Sequence, residues 1–161
     1  MFSGSSEMEK DLAIKRKIVL KILLATDGSA NSKAAVEDVA RRPFTSNMKV
    51  RIVSAYGRVP RIMNVDPIGV SKEYYAVANR NTLKAAENAT KNAMKTLRKK
   101  NPSLTITTII IEGAPKSVIL KEAEIFGADL IVVGFHGHKP AERFMLGSVS
   151  DSVALHAKCS V

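Results

Sequence analysis

Strands written almost wholly in apolar or β-branched residues alternate along this chain with stretches of helical spacing, and that alternation constrains the fold more than any other feature. IVLKILLA (Ile18 to Ala25) is nearly continuously apolar, as expected of a strand covered on both faces in a parallel sheet. VRIVSAY (Val50 to Tyr56) reads as a second strand, LTITTIII (Leu104 to Ile111) is β-branched enough for a third, and DLIVV (Asp129 to Val133) makes a fourth.

The intervening segments read as helices. After Thr26-Asp27-Gly28-Ser29, either Ser29 or Asn31 suits the cap of a short helix through Ala34, Ala35, Val36 and Val39 that Pro43 ends. GRVPRIMNVDPIG after the second strand carries the Gly, Pro, Asn and Asp of a loop. From Ser71 to Lys100 neither proline nor glycine occurs, and Tyr75, Ala78, Leu83, Ala86, Ala89, Ala93, Met94 and Leu97 recur at roughly helical spacing. Asn101-Pro102 breaks that helix. Pro115 fits the first turn of the next, whose apolar positions are Val118, Ile119, Leu120, Ala123 and Ile125. Strand and helix in alternation imply right-handed βαβ crossovers and a three-layer sandwich, an open parallel sheet of at least these four strands with helices on both faces, in the Rossmann-like class.

At 161 residues the chain suits one domain, read as 17–161, preceded by a polar and charged segment, 1–16, expected to be loosely ordered. No run of about 18 apolar residues occurs, and the N-terminus lacks the apolar core of a secretory signal, so a cytoplasmic protein with no membrane association is expected. Cys159, the single cysteine, has no disulfide partner and no metal-ligand spacing to the three histidines, and reads as a packing residue. The formal charge of +10 bears on association rather than fold. In the sequence its cations look scattered: Lys10, Lys15, Arg16, Lys17 and Lys21, then Arg41-Arg42, then Arg98-Lys99-Lys100 where a helix ends. With 5% aromatic residues and no tryptophan to stack bases, these read as solvated faces and helix ends, and nucleic acid is not an expected partner.

In an open parallel sheet, ligands bind beyond the carboxyl ends of the strands at the switch point. Three segments converge on that edge: Thr26-Asp27-Gly28-Ser29, Ala55-Tyr56-Gly57, and Gly134 to Ser150. Gly134, Gly137 and Gly147 are read as positions of positive φ where a phosphate meets bare backbone. Ser148-Val149-Ser150 opens a helix whose unpaired amides and positive dipole end would face the anion, with the Ser148 and Ser150 hydroxyls adding donors. Turn chemistry and an ordinary helix cap account for the same glycines and serine, and a turn or capping role for Asp27. Two phosphate fingerprints are absent: G-x-x-x-x-G-K-S/T does not occur, and Gly134 to Gly147 does not follow G-x-G-x-x-G.

Gly134-x2-Gly137-x9-Gly147-Ser148, preceded by LIVV and followed by VSDSVALHAKCSV, resembles the signature of the ATP-binding branch of the universal stress protein family. KILLATDGSANSKAAVEDVA resembles that family's opening strand with its aspartate, and IEGAPKSVILKEAEIFGADLIVVG its third helix and fourth strand. The resemblance runs from about Lys21 to Val161. It implies an adenine nucleotide alpha hydrolase-like fold, a parallel sheet of four to five strands in the order 3-2-1-4-5, with a nucleotide in the crevice. Asp27 would contact the ribose or organise a divalent cation such as Mg²⁺ brought by the nucleotide, and the backbone around Ala55 would meet adenine. Gly134, His136, Gly137, Gly147, Ser148, Val149 and Ser150 would hold the ribose and phosphates, with Ala25, Thr26 and Val133 completing the strand ends. His136 and His138 stand where members often carry basic residues, so charge given to the phosphates would depend on pH. Members run on into a fifth strand that commonly forms a homodimer interface, where this chain has Cys159-Ser160-Val161.

The function so implied is a soluble ATP-binding regulatory protein of the stress response, a homo-oligomer whose nucleotide occupancy a protein partner reads. No second carboxylate, arginine finger or Walker lysine is identifiable, so binding with slow hydrolysis at most is expected. A slow Mg²⁺-dependent ATPase using Asp27, a protein acting on a protein or acidic partner without nucleotide, and a nucleic-acid binder driven by the +10 charge are the alternatives.

Overall fold

The computed structural model describes residues 19–43, 48–58, 72–135 and 147–161. Eight elements follow in chain order: β1 (Leu20–Ala25), α1 (Ala30–Arg41), β2 (Met48–Tyr56), α2 (Lys72–Lys100), β3 (Thr105–Glu112), α3 (Pro115–Phe126), β4 (Leu130–Val132) and α4 (Ser148–His156). The strands form one parallel sheet in the order β3-β2-β1-β4, the expected 3-2-1-4 arrangement. At the fifth position, outside β4, there is a single parallel bridge between Leu130 and Ser160, with the Ile131 amide donating to the Ser160 carbonyl at 2.8 Å.

Alternation along β1 explains why the strand is apolar at every position from Ile22 to Ala25. Ile22 and Leu24 pack with Val36 and Val39 of α1 and Ala93 and Leu97 of α2. Leu23 and Ala25 point the other way, into Val118 and Ile119 of α3 and Val153 of α4. Both faces are therefore dry, as a parallel sheet between helix layers requires.

Local chemistry sets the ends of the elements. Ser29, not Asn31, caps α1, its hydroxyl accepting from the Ser32 amide at 3.3 Å. Pro115 opens α3, and Gly127 closes it in the left-handed region at φ 65°. β4 is shorter than the sequence suggests, and Asp129 at its start meets β1 twice: its amide donates to the Lys21 carbonyl at 2.9 Å and its carboxylate accepts from the Lys21 amide at 2.8 Å. Among the described residues one charged pair crosses the sheet-helix boundary. Arg51 of β2 reaches Glu122 of α3 at 2.5 Å, with the Glu122 side chain only 3% exposed, and the guanidinium lies 4.3 Å from the Phe126 ring centroid. A buried carboxylate is tolerable there because it is paired.

Candidate functional site

The chain leaves β1 into α1 on one face of the sheet, whereas α4 follows β4 on the other face. Since β1 and β4 are neighbours, their crossovers diverge and open a crevice beyond their carboxyl ends.

On the β1 side, Thr26 extends the ladder, its amide donating to the Val53 carbonyl at 3.0 Å. Its buried hydroxyl accepts from the Gly28 amide at 3.3 Å and lies 3.2 Å from the Ser32 hydroxyl, so the turn is fastened to α1. Gly28 has φ 78°, a conformation that strains any residue with a β-carbon. Asp27 is exposed at the rim, and one of its carboxylate oxygens accepts from the Ser29 amide at 3.0 Å, the hydrogen bond of an Asx turn.

On the β4 side, a β-carbon at Gly134 would lie 2.8 Å from the Ser32 nitrogen and 2.9 Å from the Asn31 carbonyl carbon. Glycine is needed there because the backbone of α1 is in the way. The expected positive φ is found at neither Gly134 nor Gly147: among the described glycines it belongs to Gly28, Gly113 and Gly127. Gly147 instead has φ −62° and ψ 146°, the extended geometry of an N-cap.

The next residue, Phe135, holds the other helix. Its carbonyl accepts from the Gly147 amide at 2.9 Å and lies 2.8 Å from the Ser150 hydroxyl, which is also 2.9 Å from the Gly147 carbonyl. Consecutive residues at the end of β4 thus touch the first turns of two helices, α1 and α4. Helix N-termini leave amides without intrahelical partners and carry the positive end of the dipole, so this rim favours an anion. Ser148 is exposed in the first turn of α4, Val149 packs into the core below, and Ser150 is buried with its hydroxyl engaged as described.

Of the other residues singled out in the sequence, Ala25 pairs with Val53, and Ala55 lies two residues further along β2, about 7 Å higher at strand rise. Val133 follows the last residue of β4 and packs against the α3/α4 core. His136, Gly137 and His138 lie outside the described residues, as does the 1–16 segment. Sequence reasoning did not anticipate Asn31 and Ser32 as a wall of the crevice; their contact with Gly134 spans about a hundred residues of chain, and no local signal announces it.

From the Thr26-Asp27-Gly28 turn an open groove of about 540 Å³ also runs between α1 and α2, bordered by Lys33, Asn88, Asn92 and Lys95. It shares Asp27 with the crevice but includes nothing from β4 or α4, so the convergent helix ends lie outside it. Among the described residues no three His, Cys, Asp or Glu stand together as a metal site, and no helix is long and apolar enough to cross a membrane. Cys159 packs against the α3/α4 core, and burial, then the negative charge of Asp129, pushes its thiol up from the ordinary value.

Comparison with known proteins adds independent findings. The model of the universal stress protein family matches residues 19–161. The solved structure of MJ0577, subject of a structure-based assignment of biochemical function, superposes with a TM-score of 0.70 at 25% identity, covering 89% of this chain and 94% of that one. A universal stress protein in complex with cAMP superposes at 0.62 with 27% identity, covering 90% and 96%. An Arabidopsis thaliana protein of that family with AMP bound superposes at 0.62 with 20% identity, covering 88% of each chain, a likeness of fold. In sequence, a universal stress protein of Staphylococcus aureus (strain USA300) is 50% identical over 50 residues, 30% of either chain, so the match spans under a third of that relative. The fold is adenine nucleotide alpha hydrolase-like.

Proposed function

The chain belongs to the universal stress protein family, and from that premise we propose that it is a regulatory protein that holds an adenine nucleotide in the crevice between β1 and β4. The observation that carries the reading is the pairing at the end of β4: Gly134 lies against the first turn of α1 and Phe135 is bonded to the first turn of α4. Two helix N-termini open on one rim, and their partial positive charges favour phosphate. A relative at 27% identity is a universal stress protein in complex with cAMP, which supports an adenine nucleotide as the ligand class.

In this reading the first-turn amides of α4, from Ser148 and Val149, and the backbone at Gly134 and Gly137 meet the phosphates, with His136 beside them. Ser148 supplies a hydroxyl, whereas Ser150 holds α4 in place. Asp27 faces the ribose or a divalent cation carried by ATP, and the backbone at Ala55 faces adenine beside Ala25, Thr26 and Val133. Occupancy shifts a conformational or oligomeric equilibrium that a protein partner reads, in the cytoplasm.

Calorimetric titration with ATP, ADP, AMP and cAMP, with and without Mg²⁺, tests the assignment in the wild type and in Ser148→Glu. A carboxylate in the first turn of α4 repels a phosphate without disturbing the helix, so affinity falls at least tenfold with an unchanged far-UV CD spectrum. Equal affinity in the variant places the nucleotide elsewhere.

A further inference from the structure

We propose that the outer ridge of α2 is a docking surface for duplex nucleic acid, gripping its phosphates without reading sequence. The chain's excess positive charge is concentrated on one helix: α2 carries eight Lys and Arg against two Glu, a net +6 of the chain's +10. Arg80, Lys84, Lys91, Lys95 and Arg98 are separated by four, seven, four and three residues. At about 100° and 1.5 Å per residue, this spacing keeps all five within about 60° of one line and spreads them over about 27 Å. All five are exposed, and no carboxylate among the described residues pairs with them. Glu87 is the one acid amid the five. The opposite face is spent on the core through Ala86, Ala89, Ala93 and Leu97, so the ridge points outward.

The shape suits a row of phosphates. α2 packs on β2 and on β3, at the edge of the sheet, and its first buried residue is Ala86. Its first 14 residues, about 21 Å of helix, include no fully buried residue, with Tyr75, Ala78 and Leu83 half-buried. A straight exposed ridge of this kind can lie along the phosphate row that borders the major groove of a duplex. Each strand offers one phosphate per about 3.4 Å of axis, so 27 Å of ridge faces about eight phosphates. Asn88 and Asn92 flank the line and add neutral donors for phosphate oxygens.

Other polyanions fit less well. A membrane-surface helix needs a continuous exposed apolar face; on α2 the exposed large apolar residues are Tyr74 and Val77, both N-terminal to the five cations, and the stripe from Ala86 to Leu97 is buried. Single strands are held by stacking on aromatic rings, and the ridge carries none. An acidic protein surface offers far sparser charge than a phosphate backbone.

The test is fluorescence anisotropy of a labelled 20-base-pair duplex of arbitrary sequence with the full chain, from 50 to 200 mM salt. Five neutralised phosphates give a slope of log K against log salt of about −4.5. Lys84→Ala/Lys91→Ala/Lys95→Ala reduces the slope to about −1.8 and weakens binding at least tenfold at the lowest salt, with unchanged far-UV CD. Lys116→Ala/Lys121→Ala on α3, across the sheet, leaves both within twofold of the wild type. The proposal is overturned if no salt-dependent binding occurs, if both variants lose affinity alike, or if a polyglutamate peptide of equal total charge displaces the duplex.

Discussion

Gly134 and Ser32 approach so closely that a β-carbon on the glycine would lie 2.8 Å from the serine's backbone nitrogen. Because the obstruction is main chain in the first turn of α1, no side-chain rotation relieves it. The junction fixes the distance between the end of β4 and the start of α1, and with it the width of the crevice.

Gly134→Ala therefore forces one of the two elements to shift. We expect a loss of stability of about 1–3 kcal/mol and at least a tenfold loss of nucleotide affinity, by chemical denaturation and calorimetry. Gly57→Ala is the control: a β-carbon there meets nothing within 4 Å, and stability stays within about 0.5 kcal/mol of the wild type.

The pair Arg51–Glu122 gives a second prediction. Arg51→Met leaves the Glu122 carboxylate buried without its cation, since that side chain is 3% exposed, and costs about 2–4 kcal/mol. Adding Glu122→Leu removes the stranded charge and recovers most of the loss. Urea midpoints of the two variants decide the matter; a double variant no more stable than Arg51→Met alone would refute it.

Ser150→Ala removes a hydroxyl that serves the carbonyls of Phe135 and Gly147 while leaving the Gly147 amide bonded to Phe135. About 1 kcal/mol is lost, and the first turn of α4 frays. Amide exchange at Gly147 and Asp151 accelerates severalfold, while exchange in β2 is unchanged.

Cys159 reports on its own surroundings. Burial, then the charge of Asp129, holds the thiol above its ordinary value, and only the thiolate attacks electrophiles. Alkylation by iodoacetamide at pH 8 should thus be slower than for free cysteine, and unfolding in urea should restore the ordinary rate. Equal rates in the folded and unfolded chain would contradict this.

The fold was legible because both faces of the sheet are dry: Ile22, Leu23, Leu24 and Ala25 are apolar for two different helix layers, and that double demand appears as an unbroken run. The turn after β1 was legible too, since Thr26-Asp27-Gly28-Ser29 combines an Asx turn, a left-handed glycine and a helix cap in adjacent residues. Gly134 was noticed for the wrong physical reason: positive φ is a local property, whereas its actual constraint is a contact with α1 that only the folded chain contains. The basic ridge went unread although its helix was legible, because the helical period was applied to the apolar positions and not to the charged ones. Its residues are separated by three to seven positions, and a helix is needed to bring them into line.

Amide NMR of the full chain titrated with ATP and with AMP tests the central claim most directly. The account predicts saturable shifts at Asp27, Gly28, Gly134, Phe135 and Gly147 to Ser150, with Lys21 and Asp129 at the opposite end of the sheet unmoved. Saturable shifts centred away from the β1–β4 rim, or none at millimolar nucleotide, would contradict it.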